Sequence, residues 1–188
     1  MGDGVGVQQL TAQQWTLDAS DGELLLHTGV TGRAARMGHR LTIALRSWQA
    51  TVDWDGDQPC AVELTIDLGS LDVVHGEGGV TPLSGAEKAV VRTNALKTLQ
   101  AKLFPQATFR SSAIDRDGDT LRLVGSLEIA GRSGQQTVDV HVEPYGAGRR
   151  ITAEAAVRHS DFGIKQYSML MGAMKVADEV QVTLAVER

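Results

Sequence analysis

Five histidines and one cysteine are the residues whose types invite a search for metal or catalytic chemistry, and their spacing fits little of it. His27, His39, His75, His141 and His159 form no i, i+4 pair and no H-E-x-x-H motif, and Cys60 has no companion at ligand spacing, so no metal site is expected. His141 alternates with Asp139 and Glu143 on the outer side of a strand and reads as a solvated residue. Asp161-Phe162-Gly163 has the letters of the kinase magnesium motif, but no glycine-rich nucleotide loop, strand lysine or catalytic loop accompanies it. It reads instead as a turn in which Asp161 bonds backbone amides, Phe162 packs into the core and Gly163 supplies a dihedral that other residues resist. Gly76-Glu77-Gly78-Gly79 lacks the lysine and the strand-before, helix-after setting of a phosphate cradle and reads as a flexible loop. His39 is different, because it opens a strand. Its imidazole can donate to a carbonyl or hydroxyl of a bound molecule, act with a nearby carboxylate as acid and base, or cap the strand end.

The other chemistry is that of apolar contact. Tyr167, Met169, Leu170, Met171 and Met174 form a soft, polarizable run that suits either a wall adapting to a flexible hydrocarbon or a packed lid. Met37 is expected to cover the opposite end.

Around these residues the sequence alternates. Ile151, Ala153, Ala155 and Val157 are separated by polar positions, and Val180, Val182, Leu184 and Val186 repeat the pattern, which is the period of strands with one buried face. Strands are likewise expected at 15–18 and 24–27, as one strand interrupted by the Ser20-Asp21-Gly22 turn, and at 39–45 and 48–54, where Trp48, Ala50, Val52 and Trp54 share a face. The next apolar stripe is Val62, Leu64, Ile66 and Leu68; further strands cover 108–114, 121–129 and 135–145, with a turn at 131–134 and Val138, Val140 and Val142 pointing inward. Ser84-Gly85-Ala86-Glu87 has capping-box spacing and predicts a helix to about Leu99, with Ala89, Val90, Leu96 and Leu99 inward and Lys88, Arg92, Lys97 and Gln100 facing water. The sum is about eight antiparallel strands with a short helical insertion. Eight is the number at which a closed barrel either fills itself with side chains or keeps one ligand cavity.

Four ordered motifs carry a family resemblance. Gly38-His39-Arg40-Leu41, then Phe104-Pro105-Gln106-Ala107-Thr108-Phe109-Arg110-Ser111, then Gly125-Ser126-Leu127-Glu128-Ile129-Ala130-Gly131, and last Ser160-Asp161-Phe162-Gly163-Ile164 with Val176-Ala177-Asp178-Glu179-Val180 resemble the YceI-like family. The resemblance implies an all-β, lipocalin-like antiparallel eight-stranded barrel, with the helix across one mouth, over a single domain at 15–188 behind a flexible segment at 1–14. It also implies binding, storage or transport of a long-chain amphiphile (a polyisoprenoid, an isoprenoid quinone or a fatty-acid-like chain) with no catalytic residues and no cofactor beyond that cargo. The ligand contacts expected on this basis are His39, Ile43, Trp48, Val52, Phe104, Phe109, Leu127 and Val140, together with Phe162, Tyr167, Met169, Met171 and Met174. Two rival readings stay open: a small-molecule enzyme using His39 in such a barrel, and a ligand-free stress-related interaction protein with a filled core.

Composition bounds the partners. With 18 basic against 23 acidic residues the formal net charge is −5, which gives no footprint for nucleic acid or for an anionic membrane surface. No run approaches the roughly 18 apolar residues of a membrane span, so no integral membrane segment is expected. Residues 1–10 lack the basic and apolar parts of a signal peptide, and the single cysteine has no disulfide partner, so a cytoplasmic chain is expected. The resemblance is to an actinobacterial-type member of the family, and the assembly is left open between a monomer and a homodimer. Aromatic residues make up only 4% of the chain, too few rings to plug a barrel readily, which favours a cavity.

Overall fold

The computed structural model describes residues 13–188; the flexible segment expected at the N-terminus otherwise lies outside the described residues, and Gln13 and Gln14 belong to the first strand. Twelve strands and one α-helix follow: β1 (Gln13–Asp18), β2 (Gly22–Thr31), β3 (His39–Leu45), β4 (Trp48–Asp55), β5 (Gln58–Asp67), β6 (Leu71–Gly78), α1 (Gly85–Thr98), β7 (Gln106–Asp117), β8 (Thr120–Ile129), β9 (Arg132–Tyr145), β10 (Gly148–Arg158), β11 (Ser168–Met169) and β12 (Met174–Glu187).

The difference between twelve segments and the eight expected strands has a simple origin. β1 pairs with β4 and β2 with β3, while β3 in turn pairs with β6 and β4 with β5. Each of β1–β2, β3–β4 and β5–β6 is therefore one long strand broken at a bend, at the turn after Asp18, at Arg46-Ser47 and at the 3-10 turn Leu68–Ser70. With β11 a two-residue flap on β12, eight strands remain. All eight follow one another as an antiparallel meander, and the last of them, β12, pairs with β2 of the first to close the ring. Closure removes most free edges, which is how an all-β chain avoids templating its own aggregation. The bends let long strands wrap an extended barrel. At the first of them, Gly22 is tied to its neighbour so closely that a Cβ would lie 1.9 Å from the Ala185 carbonyl oxygen, so no larger residue fits.

Two expectations about loops are corrected. Gly76, Glu77 and Gly78 do not form a flexible loop: they end β6, paired with Leu41, Arg40 and His39. The hairpin after β8 turns on Ala130 and Gly131 alone, both left-handed at φ 52 and 72, so β9 begins at Arg132. Two positive φ values in a two-residue loop match the strand twist.

The helix forms where its cap predicts. Ser84 Oγ accepts from the Glu87 amide at 3.2 Å while the Glu87 carboxylate accepts from the Ser84 amide at 2.7 Å. Val91, Ala95, Leu96 and Leu99 pack on the main core with Leu68 and Leu71. Lys88 and Arg92 do not point to water as expected. Arg92 Nε donates to the Leu71 carbonyl at 2.7 Å and Lys88 Nζ to the Val74 carbonyl at 2.7 Å, so the helix covers carbonyls of β6, on the side where β7 does not reach.

Candidate ligand-binding site

Inside the ring the inward stripes do not meet. A cavity of about 660 Å³ runs through the barrel, within the range of small-molecule sites. Its wall is the set of alternating residues, for example Val138, Val140 and Val142 of β9, Ile151 and Ala153 of β10, and Val182 and Leu184 of β12. These seven side chains are only half-buried although they face the barrel axis. In a filled barrel they would be closed off by one another. β9 and β12 are 14 residues each, about 46 Å at about 3.3 Å per residue, so the lumen is long as well as apolar.

The two ends differ. At one, the rings of Trp15 and Trp54 lie 4.5 Å apart and narrow the lumen, with the Arg188 guanidinium 5.3 Å from the Trp15 ring centroid. The Trp54 indole N–H is buried here without a hydrogen-bond partner. The other end is a mouth formed by the 3-10 turn Ala35–Met37, the loop before α1, one side of α1 and residues 164–174. Short ties hold this rim together: Ala34 donates its amide to the Ala173 carbonyl at 3.0 Å, Val176 to the Tyr167 carbonyl at 2.9 Å, and Asn94 Nδ2 to the Tyr167 hydroxyl at 3.0 Å.

His39 lines the cavity at this mouth, with Nε2 2.8 Å from the Thr81 carbonyl oxygen. A carbonyl only accepts, so Nε2 carries the proton and Nδ1 is left as an acceptor. Glu87 also lines the mouth. Its carboxyl is held below the ordinary carboxylate range by the Ser84 backbone amide first, then by the Ser84 hydroxyl, with His39 adding a small attraction. Each member of this histidine–carboxylate pair thus has a backbone partner of its own. Among the described residues no three His, Cys, Asp or Glu side chains come together as a metal site.

Of the expected contacts, Ile43, Val52, Phe109, Leu127 and Val140 lie on the cavity wall, and His39, Tyr167, Met169 and Met174 at or near its mouth. Four do not line it. Trp48 is buried in the core at 5% exposure, at the strand break rather than along the lumen. Phe104 is partly exposed outside, its ring over Gly131. Phe162 is 1% exposed but belongs to a separate cluster with Ala130 and Ile164, flanked by Leu127 and Val157. Met171 is fully exposed: Leu170 and Met171 both take left-handed backbone angles, φ 51 and 55, which turn this tip of the loop away from the lumen. Met37 lies at the same mouth as Met174 and not at the opposite end, since a Cβ on Gly38, the residue after Met37, would lie 2.7 Å from Met174 Sδ.

The Asp161 turn is also rearranged. Gly163 has the expected left-handed conformation, φ 62 and ψ 21. The carboxylate that gathers the turn is Asp178, which accepts from the Ser160 amide at 2.8 Å and the Ser160 hydroxyl at 2.6 Å. Those bonds, the hydroxyl's first, hold Asp178 below the ordinary range. His159 Nδ1 lies 2.7 Å from the Asp178 carbonyl oxygen and completes the tie.

The helix across the mouth is as expected, but none of its residues is counted among the expected ligand contacts, and of the side expected inward Ala89 and Val90 are exposed. Val91, Ala95 and Leu99 form its inner side, and Asn94 brings an amide to the rim. The available signal was Asn94 itself, a poor helix former in the middle of a capped helix, where such a residue commonly has a polar partner to meet.

The sequence pattern described as "YceI-like domain" matches residues 15–188. A protein called Protein YceI from Escherichia coli O157:H7 is 28% identical over 148 residues, covering 74% of this chain and 72% of that relative. Its namesake from Salmonella paratyphi B is 29% identical over 147 residues, covering 73% and 71%. Among solved structures, Burkholderia cenocepacia BcnA superposes with a TM-score of 0.69 at 22% identity, over 92% of this chain and 99% of that one. The Campylobacter jejuni YCEI protein gives 0.58 at 17% identity, over 78% and 82%. At these identities the likeness to solved structures is one of fold.

Proposed function

Because the chain belongs to the YceI-like domain family, we propose that its barrel binds, stores or carries a long-chain amphiphile of polyisoprenoid, isoprenoid-quinone or fatty-acid-like type. The observation that supports this most is the hollow lumen, in which inward Val, Leu, Ile and Ala side chains face about 660 Å³ of unfilled space instead of one another. Each methylene buried there contributes about 0.8 kcal/mol, so a dozen contribute about 10 kcal/mol, comparable with the roughly 4–15 kcal/mol that association costs. Affinity of this kind comes from chain length and shape. The polar end of the cargo sits at the mouth, where Asn94, Tyr167, His39 Nδ1 and Lys175 offer the contacts. The barrel acts as a carrier rather than an enzyme in this reading, because His39 and Glu87 are each engaged with backbone groups. Cytoplasmic residence and a homodimer belong to the same proposal and are checked by cell fractionation and light scattering.

The test is mass spectrometry of an organic extract of gently purified protein, with titration of polyprenyl and long acyl probes. A co-purifying amphiphile and probe binding that tightens with chain length are expected. An extract at background level together with no probe binding refutes the reading, and turnover of a small molecule that is lost in His39→Ala would replace it with the enzymatic one.

A further inference from the structure

We propose that the open mouth of the barrel is a docking face for an anionic lipid bilayer. This goes beyond the cargo reading and stands without it. Ten large apolar side chains are exposed among the described residues, and six of them (Met37, Val80, Val90, Met169, Leu170 and Met171) surround this one mouth. Three line the cavity entrance directly. Val80 is placed there by the bond between His39 and the adjacent Thr81, and Leu170 and Met171 by the tie from Ala34 to Ala173. Met171 is the most exposed of all, on a tip whose left-handed backbone projects it outward. Clustered apolar exposure of this kind marks an interaction surface.

Charge selects the partner. The whole chain is acidic at −5, yet the two segments that build most of the rim, 28–41 and 162–177, contain no carboxylate and carry Arg33, Arg36, Arg40, Lys165 and Lys175. Only Arg40 has an acidic neighbour, Glu77 at 3.7 Å, among the described ion pairs. The nearest carboxylates only flank these segments: Glu87 is bonded by Ser84 and Asp178 by Ser160, which fixes their positions and leaves both negative. Apolar side chains set among unpaired cations match the headgroup boundary of an anionic membrane, where the former insert and the latter meet phosphate. Docked this way, the cavity entrance faces the bilayer, so a hydrocarbon passes between membrane and barrel without crossing water.

The test is vesicle co-sedimentation of the full chain with equal parts phosphatidylglycerol and phosphatidylcholine, against phosphatidylcholine alone, at low and at high salt. Binding is expected on the anionic vesicles, with strong loss on neutral vesicles and on raising salt from about 0.05 to about 0.5 M. Each cation near a charged surface is worth about fivefold in affinity, so Arg33→Glu with Arg36→Glu lowers it at least tenfold. Met171→Asp lowers it as well. All three positions are exposed or at the surface, and a prenyl-probe titration and thermal melt of each variant show that fold and cargo binding persist. Absence of binding to either vesicle, equal binding to both, or a concentration-dependent dimer that Met171→Asp dissolves while vesicles are ignored overturns the proposal.

Discussion

Ala153→Leu tests whether the barrel is hollow in solution, because the sign of its effect on stability depends on the answer. Ala153 sits at mid-height on β10, paired with Val140 on one side and Leu184 on the other, and its side chain faces the lumen. In a filled barrel, three extra carbons at this position would force neighbours off their rotamers and cost about 1–3 kcal/mol. In the hollow barrel they enter unoccupied space and cover their neighbours. Three carbons at about 0.8 kcal/mol each set a ceiling of about 2.4 kcal/mol of stabilisation. The tip still faces the void on one side, so about half is realised, about 1.2 kcal/mol. For a chain of this length that raises Tm by about 2–5 °C. The assay is thermal or denaturant unfolding of delipidated protein, paired with titration of a long prenyl probe. The two readouts move in opposite senses: the empty protein becomes more stable and the probe binds more weakly, since the new side chain occupies part of the space it needs. A fall in Tm of several degrees would refute the hollow reading, and unchanged probe affinity would remove mid-barrel from the ligand path.

Three further outcomes are expected. Met174→Asp, which puts a carboxylate into the apolar wall, lowers prenyl-probe affinity at least tenfold, whereas Met171→Asp, outside the lumen, leaves it within about twofold; probe titration of both variants decides this. Gly163→Val destabilises by more than about 1 kcal/mol, because valine resists φ 62 and its Cβ would also crowd the Arg132 guanidinium at 2.8 Å, and an unchanged melt would show that the turn is ordinary. Asp178 has its pKa lowered in the folded state, so its contribution is complete above the unfolded value of about 3.9 and is lost as pH falls through the folded one; Asp178→Asn should therefore lower stability at neutral pH and shrink the difference below about pH 4, as followed by melts across pH.

What the sequence determined by itself is mostly periodic or local. Alternation at 151–157 and 180–186 specified both the strands and the face each turns inward, because the side-chain period of a strand is two and one face must leave water. The Ser84–Glu87 cap fixed the start of α1 through bonds that span only three residues. Gly163 was legible for the same reason: its constraint lies in its own dihedrals. Where the signal weakened, the reading failed. Only the end of β6, Gly76 to Gly78, reads as a loop, because Gly76 and Gly78 carry no side chain to show a face, and pairing with β3 supplies the order that their own propensity does not.

Tertiary structure alone decided the rest. Phe162 and Phe109 are both rings within family motifs, yet one closes a side cluster from the 3-10 turn His159–Phe162 and the other lines the lumen from β7, and only the placement of those elements separates them. Asp178 rather than Asp161 gathers the turn, since Ser160 meets it across a fold in the chain of 18 residues. Met171 and Met174 are three residues apart and read alike as soft apolar contacts. A left-handed backbone sends the first out to solvent, and pairing of β12 with β11 and β2 carries the second to the mouth. Whether inward stripes touch or leave a space depends on the circumference of the closed ring, set by strand number and stagger. That quantity belongs to no single residue, and so the cavity, on which the proposed function depends, appears only when the ring is complete.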